Sequence, residues 1–257
     1  MRNILAVAGK ELRSYFHSPI GYLVLTIYSI VCGYFFYVLT AGFVMESLQM
    51  QMEGGAMPLS LNERIIRPLF AGILTIVVAW LLMPLISMRL FPEEKRTGTI
   101  ELLLTSPLTD LEMILGKFFG GLALYLVMVL MTLLYVGLLF IYGNPEFKPL
   151  LANALGYALF GAALLSLGMW VSTFTRNQII AGVASAALFL MLYVLDWVSA
   201  FSNGPVGRVL SYMSLPTHFD NFTKGVIDSG DLIYYLSVIV LGIFLTARSV
   251  EALKGRA

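Results

Sequence analysis

The side chains that could carry out chemistry are few, and their placement excludes most of it. His17, His218 and Cys32 are all the imidazole and thiol the chain contains. A zinc protease or a histidine-pair metal centre needs two imidazoles at one site, and the span assignment below puts these two on opposite faces of a membrane. A lone cysteine has no disulfide partner. There is no Gly-x-Ser-x-Gly elbow and no carboxylate pair within an apolar run. The phosphate-cradling Gly-x-x-x-x-Gly-Lys-Ser/Thr loop is also missing: Phe118 follows Gly116-Lys117, and Leu111 stands where the first glycine is required. The chain is therefore expected to hold no catalytic, cofactor or metal site, and not to hydrolyse ATP by itself.

Asp196, beside Trp197, is the main charge near an apolar run. A carboxylate at membrane depth is costly and marks function by default; near the end of a run, it also suits a solvated interfacial role. Both readings stay open. The lack of a charge row along the spans weighs against a channel or proton-coupled carrier. Gly116-x-x-x-Gly120 and Gly182-x-x-x-Ala186 allow close helix packing, and Tyr34 to Tyr37 read as lipid or helix contacts.

Residues 89–112 are the most charged part of the chain. They include Pro92-Glu93-Glu94-Lys95-Arg96-Thr97-Gly98-Thr99-Ile100-Glu101, then Leu102-Leu103-Leu104 and Ser106-Pro107. Charged loops often do no more than fix orientation. Three leucines after a charged turn are costly in water, however, and suit docking to a membrane or protein. A helix starting near Thr97 would set Glu101 on the side of Glu94 and Lys95, away from the leucines. Thr109 and Glu112 have capping-box spacing for the helix that follows.

The elements that position these residues follow from composition. Of 257 residues, 59% are hydrophobic and 12% charged, with a mean hydropathy of +0.86. A soluble domain carries roughly 25% charged residues. Disorder is excluded by hydrophobicity, and nucleic-acid binding by a net charge of +1 without a basic patch. Six apolar stretches near 20–43, 67–88, 113–142, 150–173, 179–200 and 232–247 are expected to span a bilayer, which takes about 20 residues each. The last is the shortest. Continuous runs exclude a β-barrel.

With the N-terminus inside, 11 of the 16 lysines and arginines fall on the inner face and 5 outside, as the positive-inside rule requires. Both termini are then inner. Residues 2–17 read as an amphipathic helix in the inner interface, with Ile4, Leu5, Ala8, Leu12, Tyr15 and Phe16 on one side. Asn3, Lys10, Arg13, Ser14 and His17 lie opposite, with Glu11 between. Ser18-Pro19 ends it. The expected fold class is an all-α polytopic membrane protein, one permease domain over 1–257, with external segments at 44–66 and 201–231.

At the inner loop the chain resembles the permease subunits of type-2 ABC exporters. Glu93-Glu94, Gly98-Thr99-Ile100-Glu101, Leu103-Leu104, Ser106-Pro107 and Gly116-Lys117 match that family's pattern between its second and third spans. The external stretch from His218 to Tyr235 looks like the gliding-motility and copper-maturation branch. The resemblance implies two permease copies (identical or related) above two separate ABC-type ATPase subunits, with ATP and magnesium bound on those partners. It also implies a bacterial inner membrane, with the external segment at 201–231, which includes His218, either capping the outer exit or meeting a periplasmic or membrane auxiliary protein. It places Glu94, Gly98, Thr99, Glu101 and Leu103 in a segment that couples to the ATPase, with the N-terminal helix resting at the membrane surface and clasping the ATPase side. A scaffold that passes ATPase-driven force to a periplasmic partner without moving cargo is the second reading.

Overall fold

A computed structural model describes residues 1–53, 60–99, 108–201 and 204–254. Among them the chain is helical, without strands, and six helices are long and apolar enough to cross a membrane. The N-terminal helix α1 (Arg2–His17) ends at Ser18, whose extended backbone and hydroxyl, accepting from Ile20 N, cap the first span, α2 (Pro19–Met52). Pro19 sits in the first turn, where its missing N–H costs nothing.

The second span, Asn62–Thr97, is interrupted. It comprises a π-helical turn Asn62–Ile66, α3 (Arg67–Ala71), α4 (Ile73–Val77), a second π-helical turn Val78–Leu82, α5 (Met83–Ser87) and, after a tight turn, α6 (Pro92–Thr97). Gly72 makes the break between α3 and α4, where a Cβ would lie 2.4 Å from the Pro68 carbonyl oxygen. The remaining spans are α7 (Asp110–Tyr142), α8 (Phe147–Ser172), α9 (Gln178–Phe201) and α12 (Ser229–Lys254). Two short helices, α10 (Pro205–Met213) and α11 (Leu215–Thr223), lie between the last two.

The helices outrun their apolar stretches. The first continues beyond residue 43, where Glu46 pairs with Arg64 at 2.8 Å. The expected short last span is a 26-residue helix instead. Its final turns carry Arg248, bonded to Glu251 and lying over Phe244, and Lys254, which reaches Asp110. Hydropathy stops at the bilayer edge, whereas backbone hydrogen bonding continues past it. At about 1.5 Å per residue, the 33-residue α7 is roughly 50 Å long, well beyond a hydrocarbon core of about 30 Å.

The fourth span, α8, is the centre of the bundle. Tyr157 on it is fully buried beside Tyr28 and Tyr125, with Tyr28 Oη 3.4 Å from Tyr157 Oη and Tyr125 Oη donating to the Tyr157 carbonyl at 2.6 Å. Tyr28 also bonds Thr132, so the phenols of this core are paired as burial demands. Apolar side chains on the outer faces of the first, third, fifth and sixth spans remain exposed, Tyr34 and Tyr37 among them, as lipid-facing surfaces should be.

Candidate coupling site

The charged loop is built onto the end of the bundle where α1, α6 and the start of α7 meet. Thr109 and Glu112 form the expected capping box: Thr109 Oγ1 accepts from Glu112 N at 3.2 Å, and Glu112 Oε2 accepts from Thr109 N at 3.1 Å. Asn3 of α1 donates to the other Glu112 oxygen at 3.2 Å. One turn on, Gly116 and Gly120 present bare backbone to α1. A Cβ at Gly116 would lie 2.5 Å from Val7 Cβ, and one at Gly120 the same distance from Glu11 Cβ. The small-residue pair therefore receives the N-terminal helix instead of another span. Its docked face is Ile4, Val7, Ala8 and Glu11, while Leu5 points away and is exposed. The apolar side expected from the helical wheel is thus split between protein and lipid.

Lys117, between those glycines, is buried with 1% exposure. Its ammonium donates to Glu11 Oε1 at 2.9 Å and to the Leu90 carbonyl at 2.6 Å, and lies 5.3 Å from the Phe91 ring centroid. It also sits 2.8 Å from Glu94 Oε2 in a direct ion pair. Lys10 reaches the other Glu94 oxygen at 3.2 Å. One buried cation thereby ties three elements: the N-terminal helix through Glu11, the end of the second span through Leu90 and Glu94, and its own third span. The Tyr15 hydroxyl adds a bond to the Ile86 carbonyl at 2.8 Å, and Lys95 reaches across to the Thr173 carbonyl.

Glu94 is therefore buried within this clasp and faces inward. Gly98 closes α6 at φ +72°, the left-handed cap that ends a helix, and the helix expected to start near Thr97 falls largely beyond residue 99, the last described residue of this stretch. Thr99 follows the cap, with its hydroxyl 2.9 Å from that of Thr97. Glu101 and Leu103, and with them residues 100–107, lie outside the described residues. Sequence reasoning missed Glu11, Lys10 and Lys117 as partners. The available signals were Glu11 falling between the two faces of the wheel, and a lysine placed one helical turn inside an apolar run.

The model of the ABC-2 family transporter proteins matches residues 5–245, nearly the whole chain. The chain belongs to the ABC-2 family. Similar proteins include the "Probable multidrug ABC transporter permease YbhS" of Escherichia coli strain K12 and its counterpart in strain O157:H7. Each is 30% identical over 201 residues, covering 75% of this chain and 50% of the relative. The chain thus spans about half the length of the curated relatives it matches. Six apolar helices agree with a multi-pass ABC-2 membrane permease.

At the opposite end of this ABC-2 chain, His218 lies inside a packed cluster. Its Nδ1 is 2.6 Å from Asp231 Oδ1, its Nε2 is 3.0 Å from the Tyr212 carbonyl oxygen, and its ring stacks on Tyr234 at 3.8 Å. Asn221 donates to the second Asp231 oxygen at 2.7 Å. These bonds fasten α10 and α11 to the head of the last span. Asp220 pairs with Arg67 at 3.2 Å and with Lys224. Burial raises its carboxyl pKa, but the Lys224 and Arg67 hydrogen bonds and charges outweigh that and hold it below the ordinary value.

Proposed function

We propose that this chain is the membrane subunit of an ATP-driven exporter in a bacterial inner membrane, worked by separate ATPase subunits that dock on its 89–112 segment. The observation that carries this reading is the Lys117 clasp. A push on α6 meets Glu94 and Leu90, and through Lys117 it is delivered at once to α1 and to the base of a roughly 50 Å helix. Rigid spans carry such a displacement to the outer end. Glu94 works inside the clasp, Gly98 and Thr99 shape its exit, and Glu101 and Leu103 meet the ATPase. ATP and magnesium are the partner's. A second permease copy, identical or related, completes the pathway, and the α10–α11 segment meets an auxiliary protein outside, as in the gliding-motility and copper-maturation branch.

Capture of the ATPase across a salt series, at matched protein levels, tests the docking. Glu101→Lys is expected to weaken capture several-fold, with salt mimicking part of the loss, because surface charges are screened beyond about 10 Å at 0.1 M. Leu103→Asp should weaken it as much with little salt dependence. Glu146→Lys, at the far end of the bundle, should leave capture unchanged. Normal capture by both inner-segment variants removes the segment from the mechanism. If capture is normal but vesicles holding both subunits move no cargo, the force-transmitting scaffold takes its place.

Orientation has its own test. Cysteines placed at Arg2 and Gly255 are expected to resist an impermeant maleimide in intact cells and to react after permeabilisation. Labelling of either one from outside reverses the topology.

A further inference from the structure

A cavity of about 400 Å³ opens where the second span is broken, between that break and the outer end of the fifth span. Ala71 and Thr75 line it from the two sides of Gly72, Tyr193 and Asp196 from α9, and Thr217 and Phe219 from α11. Asp196 lies about 27 Å along α9 from Gln178 at 1.5 Å per residue, close to the far edge of a hydrocarbon core.

Its carboxylate is held in place but not neutralised. Oδ1 accepts from Thr217 Oγ1 at 2.8 Å and from Ser214 Oγ at 3.3 Å, and Ser214 caps the N-terminus of α11. Among the described residues no lysine, arginine or histidine forms an ion pair with it. The other acid lining the cavity, Asp220, is already taken by Arg67 and Lys224. Those two cations line a separate cavity, where Glu63 and Glu146 oppose them. The walls around Asp196 are otherwise the aromatic Tyr193 and Phe219, hydroxyl-bearing side chains, and the aliphatic Ala71 and Pro216.

Broken helices at membrane depth are tolerated where the irregular backbone lines a cavity, and such breaks mark binding sites in transporters. An unpaired carboxylate beside aromatic faces attracts an organic cation by charge and by the ring quadrupole. We propose that this cavity binds an organic cation, an amine or quaternary ammonium with an aromatic or aliphatic body, with Asp196 as its counter-ion. That the cation is cargo rests on the exporter reading; that it binds does not.

Binding is read on the full chain in zwitterionic phosphatidylcholine nanodiscs, with no ATPase present, by fluorescence titration of three dansyl probes. These are the cationic dansylcholine, the neutral dansylamide and the anionic dansylglycine. Dansylcholine is expected to bind saturably and at least about tenfold tighter than dansylamide, a difference of roughly 1.4 kcal/mol, and dansylglycine not at all. Asp196→Asn should erase that preference while dansylamide binding persists, and Asp196→Glu should restore it. Equal affinity for all three probes, or a preference that survives Asp196→Asn, overturns the proposal. Should Asp196→Asn fail to fold, Ala71→Trp decides: it fills the cavity from the second span with Asp196 intact. Loss of dansylcholine binding then supports the site, and retained binding overturns it. A failed exporter reading appears separately, as absent ATPase capture.

Discussion

Replacing Lys117 with methionine is expected to destabilise the protein by about 3–5 kcal/mol, the cost of leaving buried charges without their partner. Glu11 and Glu94 are 13% and 9% exposed and would face each other with only Lys10, itself 60% exposed, to offset them. The volume of the side chain is nearly conserved, so the loss would be electrostatic. The triple variant Lys117→Met, Glu11→Gln, Glu94→Gln removes the three buried charges of this cluster. It should recover most of the stability, since an apolar or neutral replacement of a buried ion cluster is often near neutral. Thermal unfolding in detergent, followed by fluorescence, measures both. A single variant as stable as the wild type would mean that the clasp carries no strain-bearing charge. The triple variant is the informative one for function. It keeps the fold but loses the link between α1, α6 and α7, so the ATPase it captures should be stimulated at least tenfold less by the permease.

Gly120→Leu is expected to lift the N-terminal helix off the bundle. Even the first added carbon would lie 2.5 Å from Glu11 Cβ and 3.1 Å from the Ala8 carbonyl oxygen, so backbone must move. Overpacking of this kind costs about 1–3 kcal/mol, and the cheapest relief is separation of α1 from α7. A cysteine pair at Asn3 and Glu112, whose side-chain tips meet at 3.2 Å, reports the docked state when bridged by a short bifunctional maleimide. That cross-link should form in the parent, vanish with Gly120→Leu and persist with Gly137→Leu. Gly137 is on the same helix and has nothing within 4 Å of an added carbon. A cross-link that survives Gly120→Leu would show that α1 is held by something other than this contact.

The spans were legible because a bilayer imposes a length and a polarity that appear in consecutive residues. What is non-local was not. Lys117 and Glu11 are separated by 106 positions and Lys10 and Glu94 by 84, and no periodicity links them. Glu94 was named by its motif, but its burial beside Lys117 was not foreseen, since a family pattern says which residues recur and not which way they face. The capping box was readable because its bonds span three residues. Gly72, by contrast, is one glycine in an apolar run. Its role as a break appears only where Pro68 and Thr75 close around it, Thr75 Oγ1 bonding the Phe70 carbonyl. Asp196 stands near the end of its helix and lines a cavity, a placement that leaves both of its sequence readings open.

The central claim is that force from an ATPase enters through the clasp, and the most direct measurement is ATP hydrolysis by an ABC-type ATPase captured on this chain, in vesicles with and without the permease. The account predicts that the wild-type permease changes the turnover of that ATPase, and that the charge-free triple variant binds it without changing turnover. A triple variant that modulates hydrolysis as well as the wild type would contradict it.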